Sequence, residues 1–179
     1  SECLVGSEMC IRGRYHVGKI EQLNIQKRWN ENNPVNSLET PIGVDEQGEL
    51  FKLDLHEQIH GPHGLVAGMT GSGKSEFIMT YILSLAINYH PNEVAFILID
   101  YKGGGMAKSF EKLPHTAGII TNLDGQAIKR SLTSIESELR RRQEIFVNAS
   151  KELSVSNIDI YKYQRLYRER KVKEPLQHL

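Results

Sequence analysis

Apolar and polar residues alternate along this chain with three different periods. From Phe77, the residues Phe77, Ile78, Tyr81, Ile82, Leu85, Ala86 and Tyr89 recur at three- and four-residue spacing. That period predicts a helix with one wide apolar face, stopped by His90-Pro91-Asn92. Glu93 to Asp100 is an unbroken apolar run ending in a carboxylate, the pattern of a strand buried on both faces of a parallel sheet. With Leu65-Val66-Ala67 read as a short buried strand, the helix between them becomes the crossover of a β-α-β unit. Upstream, Pro41–Asp45 and the alternating run Leu50–Leu55 flank Glu46-Gln47-Gly48-Glu49 and predict a β-hairpin with a Gly-containing turn. Downstream, Met106 to Leu113 reads as a short helix ended by Pro114, and Gly118 to Thr121 as a short strand. Asp124 opens a long helix with Ile128, Leu132, Ile135, Leu139 and Phe146 on one side. Ser156 and Asp159 have capping-box spacing for a last helix carrying Ile160, Tyr163 and Tyr167, broken by Pro175. Before the hairpin, Ile20, Leu23 and Trp29 mark one face of a short helix in a linker, residues 14–35, that runs into Asn30-Glu31-Asn32-Asn33-Pro34. The sum of these elements is an α/β chain.

Composition narrows the class. The 179 residues suffice for one ordinary domain. The formal net charge is zero, so the whole chain has no basic footprint for nucleic acid. The most apolar run, Phe77 to Tyr89, is too short for a membrane span and carries Thr80, Ser84 and Asn88. The start lacks the basic and then apolar regions of a cleavable signal peptide. Cys3 and Cys10 are the only cysteines, and their absence from residues 11 to 179 suits a reducing compartment.

The strongest chemical signal is Gly68-Met69-Thr70-Gly71-Ser72-Gly73-Lys74-Ser75, which fits G-x-x-x-x-G-K-[ST]. A predicted strand precedes it and a predicted helix follows, the context a phosphate-binding P-loop needs. Its glycines let successive N–H groups turn toward phosphate oxygens, and the helix start adds partial positive charge. Lys74 would reach the β- and γ-phosphates of ATP, and the Ser75 hydroxyl would hold Mg²⁺. A Gly/Ser-rich turn matching by chance is the bland alternative.

Other features carry weaker signals. On pattern alone Asp100 is a Walker B candidate, a Mg²⁺-holding Asp after an apolar strand. Tyr101-Lys102-Gly103-Gly104-Gly105 follows it, at the strand end where ligands gather in open α/β sheets. His56, His60 and His63 have spacings that suggest a metal, but Gly61-Pro62 breaks any helix that would align them, and a tight turn is the simpler reading. Arg140, Arg141 and Arg142, with Glu136, Glu138 and Glu144, read as a solvated face of the long helix, with a nucleotide-sensing or subunit-contact arginine as the alternative. The last helix ends in Lys162, Arg165, Tyr167, Arg168, Arg170, Lys171 and Lys173, a solvated end first and a nucleic-acid contact second.

Two resemblances follow from these residues. Cys3 to Arg12 resembles the translation of a transposon-end sequencing adapter, departing from it at Gly13, so residues 1–13 are set apart as a non-native leader. Leu65 to Glu76 resembles the nucleotide loop of FtsK/SpoIIIE-type ATPases. Within that group Ile99-Asp100-Tyr101-Lys102-Gly103-Gly104-Gly105 resembles the type VII secretion ATPases. DNA-pumping members usually have Pro-Lys and no Gly run there. Pro41-Ile42-Gly43-Val44, Leu113-Pro114-His115, Glu138 with Arg141, and Asn157-Ile158-Asp159 also fit. The resemblance covers residues 20 to 179 and is strongest to the first of three consecutive ATPase domains.

The resemblance implies a RecA-like P-loop NTPase of the ASCE type with an N-terminal β-hairpin, residues 36–179 being its N-terminal part. It also moves the Walker B assignment. In this family that strand follows the helix closing near Lys173, so Leu176 to Leu179 would be its first residues and the chain would be truncated before its Asp-Glu. The resemblance implies that a fragment lacking those carboxylates would bind ATP and Mg²⁺ and would be inactive alone. Two sheet strands would be missing, leaving apolar edges exposed; a cooperative thermal melt from monomeric residues 14–179 would refute that. The parent is implied to be a membrane-anchored, hexameric motor with this domain in the cytoplasm. Its partners would be secreted proteins and other subunits of the secretion complex. A DNA translocase, with DNA as partner, and a regulatory module that binds ATP without hydrolysing it are the two alternatives.

Overall fold

The structure, a computed structural model, describes residues 8–100, 105–121 and 125–179, in two compact units, Ser1–His90 and Pro91–Leu179. The first unit is arranged around helix α3. Its helix α1, Glu8–Tyr15, includes residues that the sequence sets apart as a leader, with Ile11 and Tyr15 buried against Leu23 and Ile87. The expected linker helix is two pieces, a 3-10 turn at Ile20–Leu23 and α2 at Ile25–Glu31. Asn24 divides them in the left-handed region, φ 44°. An Asn tolerates that region because its short side chain bonds locally, here accepting from the Lys27 N–H.

The hairpin forms as predicted, from β1, Thr40–Val44, and β2, Leu50–Leu53, paired antiparallel with a bulge between Pro41 and Gly43. Asp45 Oδ1 accepts from Gln47 N and Glu49 N. Gly48 closes the turn at φ 83°, a conformation glycine adopts without steric cost. Helix α3, Lys74–Asn88, carries the predicted apolar residues and also a buried polar stripe, Thr80, Ser84 and Asn88. Ser84 Oγ donates to Pro41 O at 2.7 Å. Asn88 Nδ2 reaches Tyr15 Oη, Thr40 Oγ1 and Ser84 O, each at 2.9 Å. Ser84 and Asn88 fix the hairpin and α1 to the helix through these bonds, which offset the cost of burying their polar groups.

In the second unit, β3, Phe96–Ile99, pairs in parallel with β4, Thr116–Ile120, and the short helix α4, Gly105–Lys108, lies in the crossover. The β-α-β unit is therefore β3-α4-β4. The expected unit with Leu65-Val66-Ala67 as first strand does not form among the described residues. Those three residues pair with neither sheet, and Leu65 is 94% exposed. Without a neighbouring strand, the segment has no ladder to join. β3 is only partly covered, with Ile99 at its end 49% exposed.

Helix α5, Gly125–Leu153, is the predicted long helix. Leu132 and Leu139 on its expected apolar side are more than half exposed. Helix α6, Ile160–Arg168, is capped by Asp159, not by Ser156: Asp159 Oδ1 accepts from Lys162 N at 2.8 Å. Asp at the N-cap position satisfies a first-turn N–H. Ala149, Tyr163 and Leu176 form the core between α5, α6 and the last residues, with Phe146 and Tyr163 rings 5.8 Å apart. The glycine-rich loop 101–104 and Asp124 lie outside the described residues.

Candidate nucleotide-phosphate site

The turn that leads to Gly68 is ordered by a buried carboxylate that sequence reading passed over. Asp54 accepts from Ser37 Oγ, from Leu38 N at 2.9 Å and from His56 N at 2.9 Å. His60 Nδ1 accepts from Asp54 N at 3.1 Å. His56 is buried, with Nε2 on Val35 O at 3.1 Å and Nδ1 accepting from Gln58 N. Both ring nitrogens of His56 therefore have protein partners, and His56 and His60 serve the turn. Nearby, Tyr81 is pushed up to about 12 by burial, with the Asp54 charge adding to the shift.

Beyond this turn, Gly68, Met69 and Thr70 lie exposed, and Gly71 and Gly73 take positive φ, 80° and 86°. The chain reverses here with left-handed residues that a Cβ would disfavour. Gly73 is the N-cap of α3, and Phe77 N returns to Gly73 O at 2.9 Å. The first-turn N–H groups of Lys74, Ser75 and Glu76 precede the first intrahelical donor and have no partner within the helix. They and the helix dipole favour an anion.

Lys74 is folded over the loop: Nζ donates to Gly68 O at 2.7 Å and Met69 O at 2.6 Å, and lies 3.5 Å from Ser72 Oγ. Gly68 has a different constraint from the other loop glycines. A Cβ there would meet Ser72 Oγ at 2.5 Å and Lys74 Cγ at 3.7 Å, whereas a Cβ at Gly71 or Gly73 would meet nothing within 4 Å. The loop thus closes on a space a methyl group would fill. The Lys74 ammonium, the first-turn N–H groups and the open space over Gly71 and Gly73 fit a polyphosphate. The exposed hydroxyl-bearing Ser75, one residue into the helix, fits a Mg²⁺ ligand carried with it. Of the eight predicted residues, Gly68 to Gly73 form the loop and Lys74 and Ser75 open α3.

The second unit holds the remaining candidates. Asp100 ends β3, and its N–H donates to Ile120 O at 3.0 Å. Glu138 is bound by Arg141 at 2.8 Å and Arg142 at 2.8 Å, and the Arg141 hydrogen bond is the main cause holding its carboxyl below the usual range. Arg141 also reaches Glu174 at 2.9 Å. These charges have partners within α5 and the C-terminal segment, more than a solvated face requires. Residues 176–179 lie beside the residues leading into β3: Val94 and His178 form a parallel bridge, with Ala95 N to His178 O and His178 N to Glu93 O both 2.8 Å. Among the described residues no group of His, Cys, Asp and Glu has metal-site geometry, and no helix is long and apolar enough to cross a membrane.

The FtsK/SpoIIIE family profile matches residues 22–174. The type VII secretion system protein EssC of Staphylococcus aureus strain Mu50 is 52% identical over 165 residues, 92% of this chain and 11% of that protein. The ESX secretion system protein YukB of Bacillus subtilis is 47% identical over 167 residues, again 92% and 11%. The chain thus spans 11% of the length of these curated relatives. Among solved structures, the cytoplasmic domain of the Thermomonospora curvata type VII secretion ATPase EccC matches 97% of this chain and 20% of its own, with TM-score 0.72 and 30% identity. A structure of ATPases 2 and 3 of that EccC in complex with a signal sequence peptide matches 75% of this chain, with TM-score 0.58 and 29% identity.

Proposed function

Because the chain belongs to the FtsK/SpoIIIE family and has its P-loop ATPase fold, we propose that it is the ATP-binding part of a type VII secretion motor that drives protein export. The observation that carries this is the loop Gly68 to Ser75, a phosphate cradle on the N-terminus of α3 with Lys74 folded over it. ATP with Mg²⁺ is the ligand: Lys74 would neutralise the β- and γ-phosphates, the first-turn N–H groups would fix their oxygens, and Ser75 would orient the metal ion. Similarity to secretion proteins supports export over DNA pumping as the work done.

The finer parts of the proposal concern the longer protein. Its substrates would carry signal-sequence peptides, as in the complex with EccC. It would act as a hexamer anchored in the membrane, with this domain on the cytoplasmic side. Two titrations test the reading. Mg²⁺-ATP should bind the chain saturably, and a signal-sequence peptide should bind the full-length protein with little dependence on salt. Salt-sensitive binding of duplex DNA, with no binding of peptide, would favour the translocase reading, because backbone contacts release counterions.

A further inference from the structure

Gln164 makes an unusual pair of contacts in the second unit. It lies on α6 and is 2% exposed. Its Nε2 donates to Glu93 O at 2.8 Å and to Leu176 O at 2.9 Å. Those carbonyls belong to two chain segments that run in parallel, joined by the Val94–His178 bridge. One amide group therefore spans both. Its Oε1 is buried without a partner, so the contact rests wholly on the two N–H donors.

Neighbouring contacts hold the same two segments from the same helices. Arg168 binds the Glu93 carboxylate at 2.6 Å. Tyr163 Oη donates to Glu174 O at 3.1 Å, and Arg142 donates to Gln177 O at 2.6 Å. Consecutive N–H groups of an extended chain point to opposite sides. Ala95 N goes to His178 O and Phe96 N to His115 O, so residues 93–95 lie beside the C-terminal residues on one edge and β3 pairs with β4 on the other. The bridge alone is short and could slip. A slip of one residue would turn every side chain to the other face.

We infer that Gln164 is a positioning residue: it sets the register of residues 176–178 against Glu93–Ala95. The register matters because the C-terminal ends of parallel strands are where α/β sheets gather their catalytic groups. Residues 176–179 run in the same direction as β3, toward the end that Asp100 occupies. Gln164 thereby fixes how far residues 176–179 reach toward that end. This last step rests on the ATPase reading proposed above; the register itself does not.

The test uses Gln164→Glu, which keeps the shape and removes both donors, and Gln164→Met, which is apolar and of similar length. Lys171→Gln, which loses only an exposed ion pair with Glu169, is the control. Hydrogen exchange on the chain should be at least about tenfold faster at the Ala95 and His178 amides in both Gln164 variants, the order expected when buried groups lose their partner. Exchange in α3 should stay unchanged. In the full-length protein, both variants should lower kcat for ATP about tenfold or more with the nucleotide KM unchanged. Unchanged exchange at Ala95 and His178, or equal acceleration everywhere, would overturn the register role. Faster exchange with unaltered kcat would overturn the catalytic consequence. An absence of ATPase activity in the wild type would instead refute the function proposed, leaving the exchange result to decide the register.

Discussion

Replacing Gly68 by alanine should weaken nucleotide binding for a reason specific to one contact. Gly68 is not in the left-handed region, so alanine can adopt its backbone conformation. The obstacle is the added Cβ, 2.5 Å from Ser72 Oγ and 3.4 Å from Ser72 Cβ. Ordinary contact begins at 3.4 Å, so Ser72 Oγ must retreat by about 0.9 Å. Ser72 Oγ can rotate, but it lies 3.5 Å from Lys74 Nζ, so the loop and the lysine shift together. Small overpacking of this kind costs about 1–2 kcal/mol, roughly 5- to 30-fold in affinity. Ser72→Ala removes the offending oxygen and leaves only the 3.4 Å contact. The double variant should therefore recover most of the loss, a coupling of about 1 kcal/mol. Titration with Mg²⁺-ATP, with thermal melts to show that each variant is folded, measures the cycle. Gly68→Ala binding as well as wild type, or a double variant no better than Gly68→Ala, would refute the reasoning. Gly71→Ala is the contrasting case: space is open there but φ is 80°, so its cost, about 1–2 kcal/mol of backbone strain, should not respond to Ser72→Ala.

Other outcomes follow from the same contacts. Asn88→Leu removes the donor to Tyr15 Oη and Thr40 Oγ1, both bonded to Asn88 at 2.9 Å, and leaves the Tyr15 hydroxyl only its 3.4 Å contact with Ser84 O; it should cost about 1–3 kcal/mol in urea unfolding, the usual penalty for buried groups that lose a partner. Asp54→Ala strips acceptors from Leu38 N and His56 N and should cost a comparable amount, about 2–3 kcal/mol; a change under 0.5 kcal/mol would show the turn is held otherwise. Glu138 has its folded pKa depressed, first by the Arg141 hydrogen bond and then by Arg142. Its contribution to stability is therefore present above the unfolded value, about 4.3, and is lost as pH falls through the lower folded value. Glu138→Gln should flatten the acid limb of stability against pH between those values, and an unaltered limb would contradict the assignment.

The parts of the molecule legible in the sequence are those governed by local rules. The loop Gly68 to Ser75, helix α3 and the hairpin closed at Gly48 each rest on residue types that a short segment requires for itself. The misread parts depend on who the neighbours are. Leu65-Val66-Ala67 has the composition of a buried strand, but pairing is a property of two segments, and none of the described residues pairs with it. Leu132 and Leu139 have helical spacing with Ile135, yet spacing does not say how much of a face is covered. Ser156 and Asp159 both satisfy the capping pattern, and only the bond to Lys162 N selects Asp159. Asp54 and Gln164 gave no signal because they act on backbone groups far along the chain, Asp54 on Leu38 and Gln164 on Glu93. A polar residue inside an otherwise regular pattern, such as Gln164 between Tyr163 and Leu166, is the one available hint.

The central claim is that Lys74 and its loop bind the phosphates of ATP, and competition binding measures this directly. A fluorescent ATP analogue with Mg²⁺ is bound to the chain and displaced by ATP, ADP or adenosine, in wild type and in Lys74→Ala. The account predicts displacement by ATP and ADP, none by adenosine at the same concentrations, and at least about a tenfold weaker affinity in Lys74→Ala, or 1.4 kcal/mol. Adenosine competing as well as ATP, or Lys74→Ala binding as tightly as wild type, would contradict it.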